Sequence, residues 1–145
     1  MNHSIDYFKE GSGIVTLCGS TKFFHEFTEA NRILTFNNWV VLSCGSWGHS
    51  YHKYSIELDK DYTTIKKLHL KKIMMSNCIV VVSDKTFYIG DSTKLEIAFA
   101  NDHGLPIFYY DGENFTGTSN KKPPNVLDKI EDKIDYWIEK RKAIL

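Results

Sequence analysis

An uninterrupted apolar run from Cys78 to Val82 limits the folds open to this chain more than any other stretch. A short run of this kind, rich in β-branched residues, is typical of a strand that is buried on both faces. The segment Tyr88 to Ala100 follows it, with Gly90 for a tight turn and then a helical pattern. We expect Asp91 or Ser92 to cap that helix, and its apolar face to consist of Leu95, Ala98 and Phe99. A strand, a turn and a helix in this order form half of a βαβ unit.

Strands and helices alternate along the rest of the chain. Further strands are predicted at Ile14–Cys18, Trp39–Leu42 and Pro106–Tyr109, and residues 111–118 have room for a fifth. Three further helices are predicted from residues that repeat at helical spacing and form an inward face. The first helix has Phe24, Phe27, Ala30 and Leu34, and the second has Ile65, Leu68, His69 and Ile73. The last helix has Leu127, Ile130, Ile134, Trp137 and Ile138. Asn125 is the expected cap of the last helix. The pattern predicts an α/β fold, a flavodoxin-like (Rossmann-like) three-layer arrangement with a mostly parallel sheet of four to five strands.

One domain accounts for residues 1–145, with Met1–Ser12 as a loose lead-in. Residues 43–60 have no periodicity, and irregular segments of this length are often functional. His49 and His52, with the nearby aromatic residues Trp47, Tyr51 and Tyr54, are candidates for a lid over a ligand. A metal site formed by Cys44, His49 and His52 is a weaker alternative, and we predict neither a metal nor a cofactor.

The charge balance of the chain argues against a polyanionic partner. Lys and Arg together number 18, as do Asp and Glu, so no net field attracts a nucleic-acid polymer, whereas small anions remain open. The odd count of three cysteines predicts buried free thiols in a reducing compartment. No apolar run is long enough to span a membrane, and no signal-peptide pattern begins the chain. These features predict a cytoplasmic protein that has no membrane partner.

Glu96 is the unusual residue of the chain. It lies beside the apolar stripe of its helix, and its helical neighbours Ser92, Thr93, Phe99 and Ala100 include no cation. Ser92 and Glu96 are four residues apart and therefore point to one side of the helix. The carboxyl ends of strands are where open α/β sheets bind ligands, so Glu96 is a candidate active-site carboxylate; a solvated Glu at the edge of the stripe is the alternative.

Three motifs in order resemble the nucleoside 2-deoxyribosyltransferase superfamily, which includes the 2′-deoxynucleoside 5′-monophosphate N-hydrolases. They are Leu17–Thr21 after the first strand, Asn77–Val81 as the third strand, and Gly90-Asp91-Ser92 followed by Glu96. The resemblance covers about residues 14–109 and is closest to a phage-like branch. It implies that Glu96 is the nucleophile on C1′ of the sugar and that Ser92 binds a 5′-phosphate. It also implies a homo-oligomer, a dimer or larger.

The chemistry is consistent with the residues themselves. A carboxylate near the anomeric carbon can trap an oxocarbenium-like sugar as a covalent ester, as retaining glycosidases do. Two helix starts offer anion sites that would face one crevice. The binding residues expected there are Gly19, Ser20, Thr21 and Lys22 in the first loop, and Asp84, Tyr88, Gly90 and Ser92 in the second. Asp84 is alternatively a turn residue and Tyr88 a structural aromatic residue. Asp91 is either a helix cap or a catalytic contact to the sugar or base.

Several residues depart from the pattern of the superfamily. His69 replaces an Asp that precedes the third strand in these enzymes; it is either a proton-transfer group or a packed helix histidine. The first loop has Thr21-Lys22-Phe23 in place of extra glycines and an arginine, which leaves the need for a 5′-phosphate open. Binding of a nucleotide or nucleotide-derived signal without turnover is therefore the alternative function. A phosphoribohydrolase of the lysine-decarboxylase-like type is less favoured because its Pro-Gly-Gly loop is absent.

Overall fold

The structure, a computed structural model, describes the backbone of residues 2–44 and 55–142 and the side chains of 4–44 and 63–142. The strands are β1 (Asn2–His3), β2 (Ile14–Cys18), β3 (Val40–Leu42), β4 (Cys78–Val82), β5 (Ile107–Tyr110), β6 (Phe115–Thr116) and β7 (Thr118–Ser119). The helices are α1 (Ser4–Glu10), α2 (Phe24–Phe36, after a 3-10 turn at Thr21–Phe23), α3 (Ser55–Met74), α4 (Asp91–Asp102) and α5 (Asp128–Lys140).

The main sheet has five strands in the order β3-β2-β4-β5-β6. The first four are parallel, with Thr16 of β2 opposite Leu42 on one side and Ile79 on the other. The last strand, β6, is antiparallel to β5 and lies within the region expected to have room for a fifth strand. The predicted α/β class and mostly parallel sheet are thereby confirmed. A separate small sheet pairs β1 with β7.

Alternate residues of the central strands point into two separate cores. Leu17, Val80 and Val82 belong to a cluster with α1 and α2, whereas Cys18 and Val81 belong to a cluster with α3 and α4. Because successive strand residues face opposite sides of a sheet, the helices cover both faces. The run Cys78–Val82 is buried at every position, as its composition predicted.

The expectation of a loose lead-in over residues 1–12 was wrong. The segment forms α1, and its Tyr7 and Phe8 side chains are 1% and 0% exposed. Their rings pack against Trp39 and Phe108, and the Trp39 indole N–H donates to the Phe8 carbonyl at 2.9 Å. Two adjacent aromatic residues bury enough apolar area to dock a short polar helix.

Three helix patterns need correction. The helix expected from Ile65 onward begins at Ser55, so it includes the end of the segment interpreted as irregular. In α4 the buried residues are Thr93 and Ala100, with Ile97 partly buried, while Leu95 is 57% exposed and Ala98 is also exposed. Phe24 and Leu68, both expected to face inward, are 53% and 47% exposed.

The expected helix caps were also wrong. Gly90, not Asp91 or Ser92, is the N-cap of α4, and Leu127, not Asn125, is the N-cap of α5. Neither cap residue makes a side-chain hydrogen bond to the helix. Asn125 instead forms a backbone bridge with Ser12.

The predicted state of the cysteines agrees with the structure. Cys18 and Cys78 are buried, Cys44 is partly buried, and all three are free thiols. Among the described residues, no helix has the length and apolarity needed to cross a bilayer.

Candidate active site

Cys18, His69 and Glu96 meet at the carboxyl end of β2. Their potential ligand atoms, the Cys18 Sγ, a His69 ring nitrogen and a Glu96 carboxylate oxygen, all lie within 4.8 Å of one another. The three side chains come from the last residue of β2, from α3 and from α4, and the two helices contact each other. The sequence analysis singled out His69 and Glu96, and the structure brings them together.

The pair of His69 and Glu96 is largely excluded from water. His69 Nε2 lies 3.5 Å from Glu96 Oε2, and the two side chains are 6% and 16% exposed. The other ring nitrogen of His69, Nδ1, is buried and has no hydrogen-bond partner among the described residues. His69 is thus a buried helix histidine with one nitrogen facing Glu96 and the other unpartnered, so both the packed histidine and the proton-transfer group stay open.

Burial changes the charge state of both groups. Burial, with a smaller effect of nearby Lys72, lowers the pKa of His69 to about 4. Burial raises the pKa of Glu96 to about 7, and Lys66 only partly opposes it. An ion pair would shift both values in the other direction, so desolvation outweighs the attraction between the two groups. Near neutral pH the imidazole is neutral and the carboxyl is poised between its two protonation states.

Cys18 is the member of the site that sequence reasoning missed. It is 1% exposed, and burial together with Glu96 and Cys44 raises the pKa of its thiol well above the usual range. Its position at the end of a strand, before Gly-Ser, was the available signal. Because its partners are 51 and 78 residues away in the sequence, only the tertiary structure reveals the contact.

The first loop is shaped by a glycine that no other residue can replace without strain. Gly19 has φ +147°, and a Cβ atom there would be 2.4 Å from the Val82 carbonyl oxygen. The close approach lets β2 turn beside the end of β4. Ser20 then caps the 3-10 turn, its Oγ accepting a hydrogen bond from the Lys22 N–H at 3.4 Å, and Thr21 is buried.

The first loop contacts the second through Lys22 and Tyr88. The Lys22 Nζ lies 3.5 Å from the centroid of the Tyr88 ring, which also lies edge-on to Phe23 at a centroid distance of 6.3 Å. The Tyr88 hydroxyl lies close to Gly90, at 3.4 Å from the position of an added Cβ. Lys22, Tyr88 and Gly90, all predicted to bind ligand, therefore form one surface, and Tyr88 is 47% exposed on it.

Asp84 is engaged by its own loop. Its Oδ1 accepts a hydrogen bond from the Thr86 N–H at 2.9 Å and another from the Thr86 hydroxyl. These hydrogen bonds hold the pKa of Asp84 below its usual range, with a lesser effect of Lys22. Hydrogen bonds within the turn thus account for the conformation of Asp84, and its carboxylate lies near Lys22.

Ser92 and Asp91, two predicted site residues at the start of α4, lie on different sides of the helix relative to Glu96. Ser92 is one helical turn before Glu96 and on the same side, and it is exposed. Asp91, also exposed, precedes Glu96 by five positions and is therefore rotated by about 140° around the helix axis. The structure does not bring Asp91 into the cluster of Cys18, His69 and Glu96.

Two further features lie apart from this cluster. A cavity of about 440 Å³ is lined by Leu17, Phe24, Arg32, Phe36 and Ser43. Leu17 and Cys18 project to opposite faces of the sheet, so this cavity is on the α2 side, away from Glu96. The lid residues proposed at Trp47, His49, Tyr51, His52 and Tyr54, and the metal site that includes two of them, lie outside the described residues.

Comparison of the chain with protein-family models, with curated proteins and with solved structures finds no match.

Proposed function

We propose that this protein cleaves the N-glycosidic bond of a 2′-deoxynucleoside or its 5′-monophosphate, with Glu96 as the nucleophile. The observation that carries the proposal is the burial of the Glu96 carboxyl beside a neutral imidazole at the carboxyl end of the parallel strands. A desolvated carboxylate without a full counter-charge favours a cation that develops in front of it. The oxocarbenium-like carbon C1′ of a departing nucleoside is such a cation.

The steps balance as a double displacement. A Glu96 carboxylate oxygen forms a bond to C1′ while the C1′–N bond breaks, and the base leaves with the electron pair and takes up a proton. Water then attacks C1′ and the ester bond to Glu96 breaks, or a second base attacks and completes an exchange. The configuration at C1′ is retained because it is inverted twice.

His69 acts on Glu96 and not on the sugar in this scheme. With its pKa lowered to about 4, the imidazole is uncharged at neutral pH and holds one carboxylate oxygen at 3.5 Å without neutralising it. The second oxygen remains for C1′. His69 is thus a positioning residue, which is a narrower role than the proton transfer considered from the sequence.

The start of α4 and the first loop offer groups that can bind a 5′-phosphate or a sugar. The first N–H groups of α4 follow Gly90, which supplies no side-chain cap, so they are available to an anion together with the Ser92 hydroxyl. Lys22 brings a positive charge from the first loop, next to Tyr88. The finer, flavodoxin-like fold class belongs with this proposal, and the strand order β3-β2-β4-β5-β6 supports it.

Binding without turnover is the second candidate. It is favoured by the pKa of Glu96, about 7, because the protonated fraction donates a hydrogen bond to a ligand and does not attack it. The two functions differ in the fate of the ligand. A binding protein returns its nucleotide intact and gains thermal stability in proportion to ligand concentration, without release of base.

The test is incubation with a panel of deoxynucleosides and their 5′-monophosphates, followed by chromatography of the free base. The proposal predicts release from at least one substrate by the wild type and none by Glu96→Gln. In a mixture with methanol, a methyl glycoside of retained configuration is expected. An absence of base from the whole panel, with a nucleotide recovered intact from the protein, would establish the binding function instead.

A further inference from the structure

The cluster of Cys18, His69 and Glu96 combines a thiol, an imidazole and a carboxyl group in one buried place. These are the three donor types that bind Zn²⁺ in proteins, and a thiolate with an imidazole disfavours Mg²⁺ and Ca²⁺. From the sequence we predicted no metal, and the one set of ligands considered there was Cys44, His49 and His52. Their arrangement in space changes that expectation.

The spacing of the donor atoms is close to that of a tetrahedral site. Ordinary zinc bond lengths place neighbouring ligand atoms about 3.3–3.6 Å apart. His69 Nε2 and Glu96 Oε2 are already 3.5 Å apart, and all three donor atoms lie within 4.8 Å of one another. Closing the site therefore requires the donor atoms to approach one another by no more than about 1.5 Å.

The other ring nitrogen of His69 bears on how the ring can bind a metal ion. His69 is 5% exposed, yet its Nδ1 has no hydrogen-bond partner among the described residues. A buried polar atom left in this way costs stability. It also leaves the tautomer of the ring unfixed, so Nδ1 can carry the proton while Nε2, which faces Glu96, presents its lone pair to a metal ion.

The elements that carry the three residues hold them in place. Cys18 ends a buried strand between two others, whereas His69 and Glu96 lie on packed helices. Sites built on regular elements are better preorganised than sites on loops. Glu96 is the most exposed of the three side chains, at 16%.

We propose that Cys18, His69 and Glu96 form a three-ligand site for a thiophilic divalent metal ion, with Zn²⁺ as the preferred ion. Binding displaces the Cys18 thiol proton to solvent and forms the S–Zn bond, with no change of oxidation state. The fourth position remains for water or another donor. The inference goes beyond the proposed glycosidase function, because it depends on the three side chains and on no nucleotide.

One consequence links the site to the proposed catalysis. The carboxylate oxygens of Glu96 cannot bind a metal ion and attack C1′ at the same time. Zn²⁺ therefore inhibits base release reversibly, and a chelator restores it. If no base release is found, metal binding is still measurable, so the two proposals fail separately.

The experiment is titration of tag-free, chelator-treated protein with Co²⁺ and then with Zn²⁺. Co²⁺ bound through Cys18 gives a thiolate-to-cobalt charge-transfer band in the near ultraviolet, with a stoichiometry of one, and Zn²⁺ removes it. Calorimetry in buffers of different protonation enthalpy detects the released proton. Cys18→Ala abolishes the band and weakens Zn²⁺ binding by more than about tenfold.

Cys78→Ala is the matched control. Cys78 is also a buried strand cysteine, 0% exposed, but it belongs to the core cluster on the opposite face of the sheet. The Cys78→Ala variant should keep both the charge-transfer band and the affinity for Zn²⁺. If Cys18→Ala does not fold, Glu96→Gln replaces it as the test variant, because Glu96 is the more exposed ligand. This variant should weaken Zn²⁺ binding by a similar factor. No binding by the wild type, or a band retained in Cys18→Ala or lost in Cys78→Ala, would overturn the proposal.

Discussion

His69 Nε2 and Glu96 Oε2 lie 3.5 Å apart, and burial shifts the pKa values of the two groups away from an ion pair. The imidazole loses its proton at about pH 4 and the carboxyl group keeps its proton up to about pH 7. Burial of the charged form of either group costs stability, and it makes the carboxyl group responsive to pH near neutrality. Buried groups of this kind are more often found at functional sites than elsewhere.

Glu96→Gln is expected to stabilise the protein at alkaline pH. The folded state raises the pKa of Glu96 from 4.5 to about 7, so it binds this proton more tightly than the unfolded chain and loses stability as pH rises between these values. Above pH 7 the full penalty, on the order of 3 kcal/mol, is present in the wild type and absent from the variant. Urea unfolding at pH 8 and at pH 4.5 measures it; equal stability of the two proteins at pH 8 would contradict the burial of this carboxyl group.

His69→Gln is expected to reduce acid sensitivity. The folded pKa of His69, about 4, is below the ordinary 6.5, so its contribution to stability is lost as pH falls from 6.5 to 4. The expected difference in the pH dependence of unfolding is on the order of 3 kcal/mol across that window. His25→Gln is the control, because the His25 side chain is 86% exposed. An unchanged acid slope in His69→Gln would show that the imidazole is not buried as described.

Gly19→Ala is expected to destabilise the fold. The backbone there has φ +147°, and an added Cβ would lie 2.4 Å from the Val82 carbonyl oxygen, so strain of about 1–3 kcal/mol or more follows. The matched substitution is Gly90→Ala, because Gly90 has φ −78° and its nearest neighbour would be the Tyr88 hydroxyl at 3.4 Å. Gly90→Ala should change the urea midpoint little. Comparable losses in both variants would contradict the special role of Gly19.

Lys22→Gln tests whether a 5′-phosphate is recognised. Lys22 lies at the rim, with its ammonium 3.5 Å from the Tyr88 ring centroid, and it supplies charge to that surface. If phosphate binds there, the variant raises KM for a 5′-monophosphate by about tenfold and leaves KM for the nucleoside unchanged, since a single charge contact contributes about 1–2 kcal/mol. Lys67→Gln, an exposed lysine on α3, is the control. Equal effects on both substrates would rule out a phosphate contact.

The last helix is expected to mediate self-association, in line with the predicted homo-oligomer. None of its residues is buried, and the apolar side chains Ile130, Ile134 and Trp137 are each 51% exposed. A helix of 13 residues is marginal on its own in water and gains stability when this face is covered. Sedimentation of the wild type should show a dimer or larger species, and Ile134→Glu should shift it to the monomer. A monomeric wild type would contradict the expectation.

The sequence predicted the parts of the fold whose signal is local. The run Cys78–Val82 identified the central strand because a strand buried on both faces needs continuous apolar residues. The helix of Tyr7 and Phe8 was missed because its short polar context hides two core aromatic residues. The buried face of α4 was misplaced because Thr93 and Ala100 are small and weakly apolar, while Leu95 is exposed.

The candidate site could be predicted only in part, because sequence patterns reveal local features and not contacts between distant residues. Glu96 stood out by its helical neighbours, and His69 because it occupies the position at which the superfamily that the chain resembles has an Asp. Cys18 had no comparable signal, since its contact with both residues depends on how α3 and α4 pack against the sheet. The loss of ordinary charge on His69 and Glu96 is a property of burial, which no residue pattern specifies.

The most direct test of the central claim is the mass of the protein after an acid quench during turnover of a released deoxynucleotide. The account predicts an added deoxyribosyl group, or its 5′-phosphate, on the peptide that contains Glu96, and no such adduct in Glu96→Gln. Base release by the wild type with no adduct on this peptide, together with undiminished release by Glu96→Gln, would contradict it.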